Sequence, residues 1–171
     1  PRKGILELSR LLSATDDEVR IVIGTNHIRA HTANFTFTSK LVDGKFPDYD
    51  RVLRKGGDKI LSAIRSDLRQ ALNRTAILSN EKFRGIRLLL SNDELKIAAN
   101  NPEQEEAEET INIEYKGAPL EIGFNVSYLV DVLTVVNTDS VQLILSDSNS
   151  SVLIKDLDDN PSLYVVMPMR L

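Results

Sequence analysis

Three segments of the chain carry apolar residues at the spacing of one helix face, namely residues 3–12, 66–78 and 126–136. In each segment apolar side chains recur every three or four positions, which gives a helix one apolar and one polar side. Ser66 and Asn125 stand at the starts of the second and third segments, where a short polar side chain can accept a hydrogen bond from a free backbone N–H. The pattern therefore predicts three amphipathic helices, two of them capped by these residues.

Short runs rich in β-branched residues follow each predicted helix and indicate β-strands. Turn-forming residues separate the runs, as in segments 24–26, 91–93 and 146–150. Three runs follow every helix, and one further run precedes the second and the third helix. The predicted strands are residues 19–23, 27–31, 35–38, 59–64, 86–90, 95–98, 110–113, 120–124, 141–145, 152–154 and 163–166.

The order of these elements repeats along the chain as one truncated and two whole units of strand, helix and three strands. One such unit has an apolar sheet face and an apolar helix stripe, so pairing two units buries both. We therefore predict an α+β fold with paired helices on one side and antiparallel sheets outside. An ordinary α+β sandwich with chance spacing is the alternative. Because the first unit lacks its leading strand, we expect the chain to be a fragment.

Residues 40–58 fit neither the helix period nor the strand period for long, and they include Gly44, Pro47, Gly56 and Gly57. This composition is typical of a linker between domains. We therefore place a partial domain with its linker at residues 1–53 and a complete domain at residues 54–171.

Charge is unevenly distributed along the chain. Lys plus Arg number 21 and Asp plus Glu number 25, so the formal charge of −4 does not indicate a simple basic nucleic-acid binder. Basic residues nevertheless concentrate in the first two predicted helices, and acids concentrate in segments 16–18, 103–109 and 156–159. Basic side chains along helices, without interleaved aromatic residues, suit phosphate contacts. A solvated helix face explains the same pattern, and the third helix, with Asp131 and no Lys or Arg, weakens the nucleic-acid interpretation.

Motifs for catalysis are not evident. Without cysteine, the chain has no thiol nucleophile, cysteine zinc site or disulfide. His27 and His31 stand four residues apart, but they fall in a strand-like run without an acidic third ligand nearby. The chain has no phosphate-binding glycine loop and no nucleophile elbow. We expect a protein that is not an enzyme, has no cofactor or metal, and resides in a reducing compartment, the cytoplasm.

The chain ends on an apolar run, residues 163–171, which contains Met167, Pro168 and Met169. Methionine side chains at a surface groove form an adaptable apolar lining for peptides. A final strand tucked into the core, with Pro168 ending its pairing, is equally compatible with this pattern.

Several longer stretches resemble one protein family closely. They are residues 46–49 (FPDY), 76–85 (AILSNEKFRG), 99–109 (ANNPEQEEAEE), 123–128 (GFNVSY) and 164–171 (YVVMPMRL). These stretches resemble the bacterial sliding clamps, the beta subunits of DNA polymerase III. The resemblance covers nearly the whole chain and places it in the second half of the middle domain and the whole C-terminal domain.

This resemblance implies a DNA clamp fold, in which helices line a ring and sheets lie outside. Two three-domain subunits would close around duplex DNA and tether the polymerase as a non-enzymatic processivity factor. By position, the resemblance assigns Lys3, Arg10 and Arg51 to DNA contact, and the helix pattern adds Arg69 and Arg74. A stand-alone, sequence-independent duplex-DNA-binding domain is the alternative function.

The resemblance also implies a groove that binds short motifs of polymerases, the clamp loader and repair proteins. The matching positions are Pro47, Arg51, Val52, Asn125, Tyr128, Ser151, Val165, Met167, Pro168, Met169 and Arg170.

A third implied site is the ring interface of the homodimer, for which the opposing surface belongs to the absent first domain. We therefore expect that this chain alone does not close a ring. The matching positions are Ile77, Leu78, Glu103, Glu105, Glu106, Glu108 and Glu109.

Overall fold

The computed structural model describes residues 1–13, 18–46, 48–53, 57–157 and 162–170, and of residues 51 and 52 the backbone alone. The chain divides into two compact units, residues 1–47 and 48–171. The predicted domain division after residue 53 stays a prediction.

The first unit contains one helix and one antiparallel sheet. Its elements are α1 (Arg2–Leu12), β1 (Arg20–Ile23), β2 (His27–His31) and β3 (Thr36–Lys40). The strands pair in the order β1-β2-β3. The structure thus confirms the first predicted helix and its three strands, with ends that differ by two residues or fewer.

The core of this first unit is thin. Ala30 is buried at 1% exposure, whereas α1 has no buried residue and leaves Ile5 and Leu6 exposed. The helix approaches β3 closely, because a Cβ atom added at Gly4 would lie 2.7 Å from Ser39 Oγ. Side chains on this side of the sheet therefore face α1, and those at alternate positions face away from it.

Part of the predicted linker is helical, so the expectation of an irregular segment over residues 40–58 is wrong there. A short helix, α2, spans Tyr49–Leu53. Asp48 Oδ1 accepts a hydrogen bond from the backbone N–H of Asp50 at 3.2 Å. A carboxylate in this position stabilises a helix start. Five residues are too few to display a helical period, which is why the pattern missed α2.

The second unit contains both whole copies of the predicted strand, helix and three strands. The first copy is β4 (Lys59–Ile64), α3 (Arg65–Thr75) with a 3-10 turn (Ala76–Leu78), β5 (Gly85–Ser91), β6 (Glu94–Asn100) and β7 (Glu106–Asn112). The second copy is β8 (Leu120–Asn125), α4 (Val126–Val135), β9 (Ser140–Leu145), β10 (Val152–Asp156) and β11 (Leu163–Val166). Strand β7 begins four residues before the predicted run 110–113, so Glu106, Glu108 and Glu109 lie within it.

The two copies exchange their leading strands. One sheet has the order β11-β10-β9-β4 and the other has the order β7-β6-β5-β8. Strand β4 therefore pairs with β9 of the second copy, and β8 pairs with β5 of the first. The two copies cannot separate without breaking both sheets.

Backbone hydrogen bonds also join the edges of the two sheets to each other. Ser62 of β4 exchanges two backbone hydrogen bonds with Glu114, at 2.9 and 3.0 Å. On the opposite side, the backbone N–H of Met169 donates to the carbonyl oxygen of Gly123 in β8, at 2.9 Å. Ser62 and Gly123 are both the fourth residue of their strand. The C-terminal segment is thereby held along β8.

The core lies where the two helices meet both sheets. Leu68 and Leu72 of α3 and Leu129 and Leu133 of α4 are all buried there. Burial of large aliphatic side chains is the main stabilising contribution to such a layer. The predicted packing of the two helices against each other is confirmed.

The two predicted helix caps have different outcomes. Asn125 Oδ1 accepts a hydrogen bond from the backbone N–H of Ser127 at 2.9 Å, so this cap is confirmed. The prediction for Ser66 is wrong, because α3 begins at Arg65 and the Ser66 hydroxyl donates to Asp67 Oδ1. Arg65 sets the start instead, since its backbone N–H donates to the carbonyl oxygen of Asp139 at 2.8 Å.

Candidate functional site

Helix α1 places Lys3 and Arg10 on exposed positions. Arg10 is paired with Glu7, one turn earlier, through Nη2 to Oε1 at 2.5 Å and Nε to Oε2 at 3.2 Å. The hydrogen bond from Arg10 lowers the pKa of the Glu7 carboxyl. Both side chains are exposed, so the pair is weak and salt-sensitive. Arg10 therefore stays available to a competing phosphate.

Helix α3 carries Arg69 and Arg74, which have different surroundings. Arg69 is half-buried. Arg74 reaches across to β7, where its Nε lies 2.9 and 3.1 Å from the two carboxylate oxygens of Glu109. A further contact joins Arg74 Nη2 to Glu109 Oε1. The charge of Arg74 is thus balanced by a residue that the resemblance assigns to the ring interface.

A cleft lies beside the last described residues of the predicted C-terminal groove. Met167 is 65% exposed, and Met169 and Arg170 line a cleft of about 460 Å³. Strand pairing positions the cleft, because the Met169–Gly123 hydrogen bond holds the C-terminal segment along β8. The remaining lining residues are Arg87, Glu121, Ile122, Gly123, Ser148 and Asn149.

Four other predicted groove residues do not line this cleft. Asn125 uses its side chain locally, donating from Nδ2 to the carbonyl oxygen of Phe83 and accepting from Ser127. Tyr128 is 58% exposed on α4, whereas Ser151 is buried. Val165 lies within β11, opposite Leu153. Their membership of the groove stays a prediction.

The predicted groove also includes Pro168 and three positions in or near α2. Pro168 is half-buried between the two C-terminal methionines. Pro47 lies outside the described residues, as do the side chains of Arg51 and Val52. The assignment of Arg51 to DNA contact stays a prediction for the same reason.

Three of the predicted ring-interface residues line a second cleft. Ile77 is 77% exposed on the 3-10 turn and lines a cleft of about 500 Å³ together with Glu103 and Glu105. Leu78 is half-buried, and Glu106 is exposed at the start of β7.

Two glutamates of the predicted interface already have partners within the chain. Glu108 pairs with Lys96 at 2.7 Å, and Glu109 pairs with Arg74. The hydrogen bond from Arg74 lowers the pKa of the Glu109 carboxyl. The structure therefore brings Ile77, Glu103 and Glu105 together. In contrast, Glu108 pairs with Lys96 of its own sheet, and Glu109 pairs with Arg74 of helix α3.

Sequence reasoning missed the charged and polar residues of the C-terminal cleft, above all Arg87, Glu121 and Ser148. Arg87 and Glu121 lie on neighbouring strands and form a 3.7 Å ion pair. The alternating pattern of β5 and β8 could have placed both residues outward. Only the pairing of β8 with β5, which local patterns do not encode, brings them together.

The two histidines lie on β2, as the alternating pattern predicts. His27 Nδ1 is 2.6 Å from Asn26 Oδ1, and His31 Nδ1 is 2.9 Å from Thr36 Oγ1. Within the described ranges, no three His, Asp or Glu side chains are placed to hold a metal ion. In the same ranges, no helix has the length and apolar character needed to cross a membrane.

Comparison with known proteins identifies the family. Residues 1–48 match the DNA polymerase III beta subunit, central domain, and residues 50–170 match the C-terminal domain of the same subunit. The chain therefore belongs to the DNA polymerase III beta subunit family, which confirms the resemblance and the α+β clamp fold expected from it.

The relatives agree with this assignment. The beta sliding clamp of Pseudomonas aeruginosa is 68% identical over all 171 residues, which span 47% of its length. The Escherichia coli K12 beta sliding clamp is 58% identical over the same residues, again 47% of its length. The chain thus spans about half the length of the curated relatives that it matches.

Solved structures give the same result. A DNA polymerase III beta subunit from Pseudomonas aeruginosa superposes with a TM-score of 0.78 at 68% identity, covering 100% of this chain and 47% of that one. A sliding clamp from Bartonella birtlesii bound to griselimycin has a TM-score of 0.78 at 40% identity, covering 100% of this chain and 46% of that one.

Proposed function

We propose that the chain is part of a sliding clamp, a non-enzymatic processivity factor that encircles duplex DNA and tethers the DNA polymerase. The observation that carries this proposal is the pair of strand-exchanged copies in residues 59–166, followed by a C-terminal cleft, in a chain of the beta subunit family. The whole protein would be a homodimeric ring in the bacterial cytoplasm. A stand-alone DNA-binding domain is not favoured, since the relatives are clamps.

DNA contact in this proposal comes from basic side chains on the helices. Lys3 and Arg10 are exposed on α1, and Arg69 is half-buried on α3. Cations on helices attract phosphates of any sequence and permit sliding. Arg74 contributes less, because its guanidinium is already paired with Glu109. Arg51 belongs to the same proposed set by its position.

Ring closure in this proposal uses the exposed Ile77 beside Glu103 and Glu105. An apolar centre with a charged rim suits an interface that must open and close. The opposing surface would come from a domain that this chain does not contain. We therefore propose that residues 1–171 alone do not form a ring.

Partner binding in this proposal occurs at the C-terminal cleft. Short motifs of polymerases, the clamp loader and repair proteins would insert apolar side chains beside Met167 and Met169. Clamps of the same family from Pseudomonas aeruginosa and Bartonella birtlesii are bound to griselimycin, which supports ligand binding by this fold. A few buried apolar anchors give micromolar binding, about −8 kcal/mol, which permits exchange of partners.

The test is titration of the chain with a short clamp-binding peptide by calorimetry. Met167→Ala removes an exposed anchor without disturbing the core, and we expect at least tenfold weaker binding, equivalent to about 1.4 kcal/mol. Val135→Ala, a comparable truncation at an exposed position on α4, is the matched control and should leave the affinity unchanged.

Unchanged affinity in Met167→Ala would refute the groove assignment. Deletion of residues 169–171 provides a second variant, because it removes Met169 and Arg170, which line the cleft. The melting temperature of each variant shows whether the fold is intact.

A further inference from the structure

The sheet of the first unit has a polar face directed away from α1. Its charged residues and histidines are Arg20, His27, Arg29, His31 and Lys40, whose side chains alternate with those facing the helix; Val22, Thr36 and Thr38 lie on the same face. The register aligns His31 with Arg20 on one side, Arg29 with Thr38, and His27 with Lys40. We call this surface the polar face of the first sheet.

The three permanent cations of this face lie on a diagonal. Arg20 is on β1, Arg29 is on β2 two residues further along the sheet, and Lys40 is on β3 another two residues along. With strands about 4.8 Å apart and about 3.4 Å per residue, each diagonal step between backbone positions is roughly 8 Å. One small anion therefore cannot contact all three cations, whereas an extended polyanion can.

This face has few carboxylates to balance its charge. Lys40 has a loose contact with Asp43 at 3.7 Å, and both side chains are exposed. Arg29 is oriented by a hydrogen bond from its Nε to Thr38 Oγ1 at 3.3 Å. Among the residues that the structure describes, no carboxylate is within ion-pair distance of Arg20 or Arg29. Neither guanidinium group is neutralised within the described part of the chain.

On a sheet surface of the second unit, cations are paired with carboxylates. On the sheet formed by β7, β6, β5 and β8, Arg87 pairs with Glu121 and Lys96 pairs with Glu108. These cross-strand pairs neutralise the cations of the sheet. The excess of cations is thus a property of the first sheet and not of every sheet in the fold.

The composition of the face distinguishes two kinds of polyanion. An acidic protein segment would need apolar anchors to bind, and the face offers Val22 alone. Arginine guanidinium groups and threonine hydroxyls frequently contact the phosphates of nucleic acids. The face carries no Phe, Tyr or Trp side chain for extensive base stacking, so the contact would be mainly with the backbone.

We propose that the polar face of the first sheet binds the phosphodiester backbone of nucleic acid, as a contact separate from the helix cations of the proposed clamp function. Arg20, Arg29 and Lys40 supply the charge, and Thr38 supplies a neighbouring hydroxyl. Binding is independent of base sequence and weakens with salt, because it releases counterions from the phosphates.

The test measures fluorescence anisotropy of a labelled short duplex titrated with the full 171-residue chain at low salt, then over a salt series. The triple variant Arg20→Gln, Arg29→Gln and Lys40→Gln should bind at least tenfold more weakly. Its salt slope should fall by about 0.9 for each phosphate that the variant no longer neutralises. The matched control, Lys96→Gln, Lys116→Gln and Lys155→Gln, removes the same charge from the second unit and should bind as the unaltered chain does.

Three outcomes would overturn the proposal. The first is equal DNA affinity of the triple variant and its control. The second is a loss of DNA affinity in a Lys3→Gln and Arg69→Gln variant but not in the triple variant. The third is stronger competition for the labelled duplex by poly-glutamate than by unlabelled duplex. Circular dichroism of each variant checks that the sheet is intact. The peptide titration examines the clamp function separately, because its ligand carries no phosphate.

Discussion

Gly57 lies so close to strand β9 that a side chain does not fit at this position. A Cβ atom at this position would lie 1.8 Å from the carbonyl oxygen of Leu145 and 2.2 Å from its carbonyl carbon. The obstacle is the backbone at the end of strand β9, which cannot move aside as a flexible side chain could. The glycine therefore permits close approach of two segments, although its sequence context is typical of a linker.

We expect Gly57→Ala to destabilise the second unit by about 2 kcal/mol, because β4 must shift away from β9. For a chain of this size the melting temperature should fall by roughly 4–8 °C. Gly24→Ala is the matched control, since its added Cβ would meet its nearest neighbour at an ordinary 3.4 Å. Equal melting temperatures for the two variants, measured by circular dichroism, would contradict this interpretation.

Single residues differ in how far their role could be predicted. Asn125 could be identified as a cap, because its side chain bonds to a backbone group two residues away. Ser66 could not be excluded as a cap, because the true helix start depends on Arg65 and its long-range bonds to Asp139 and Thr138. Local bonds leave a signal in sequence, and contacts across the fold do not.

At the scale of elements, Arg74 and Glu109 join helix α3 to the edge strand β7. The bidentate geometry makes this pair stronger than a typical surface ion pair, but the Arg74 side chain is 56% exposed, which limits its contribution. The lowered pKa of Glu109 means that the pair favours the folded state only while the carboxylate is charged.

We expect Glu109→Gln to lower the free energy of unfolding by about 0.5–1 kcal/mol at neutral pH. This stabilisation is present above the carboxyl pKa of the unfolded chain and is lost as the pH falls through the lower pKa of the folded state. The difference from the unaltered chain should therefore begin to shrink as the pH falls past roughly 4.3, the carboxyl pKa of glutamate in an unfolded chain, and disappear below the lower pKa of the folded state. Urea unfolding at several pH values measures it.

Glu106→Gln serves as the control for this experiment, since Glu106 is exposed on the same strand. It should have little effect at any pH. A destabilisation by Glu109→Gln that persists in acid would contradict the ion-pair explanation. In that case the cost would come from packing and not from charge.

The existence and order of the elements other than α2 could be predicted, because helix and strand periods are local properties of the chain. The exchange of β4 and β8 could not, since either sheet offers these strands the same apolar face. That exchange places Gly123 beside Met169 and Arg87 beside Glu121, which completes the C-terminal cleft. Met169 of the cleft was predictable from sequence, but the polar wall of the cleft was not.

At the scale of the whole molecule, the two units differ greatly in their cores. Among the described residues, Ala30 is the one buried hydrophobic side chain of residues 1–47. The second unit buries side chains from two helices and two four-stranded sheets in one cluster. Stability need not be uniform across such a chain, and regions with little buried apolar area open at lower free energy.

We expect this difference to appear in amide hydrogen exchange of the intact chain. Backbone amides of β2, the central strand of the first sheet, should exchange faster than those of β5 and β6. The reason is that α1 and β1 leave Ile5, Leu6 and Ile23 exposed, so opening this sheet exposes little additional apolar surface. Strand β2 is hydrogen-bonded on both sides, as β5 and β6 are, which makes the comparison one of core size and not of edge position. Mass spectrometry of peptides covering each strand measures the rates, and equal protection of the two sheets would show that burial does not set local stability here.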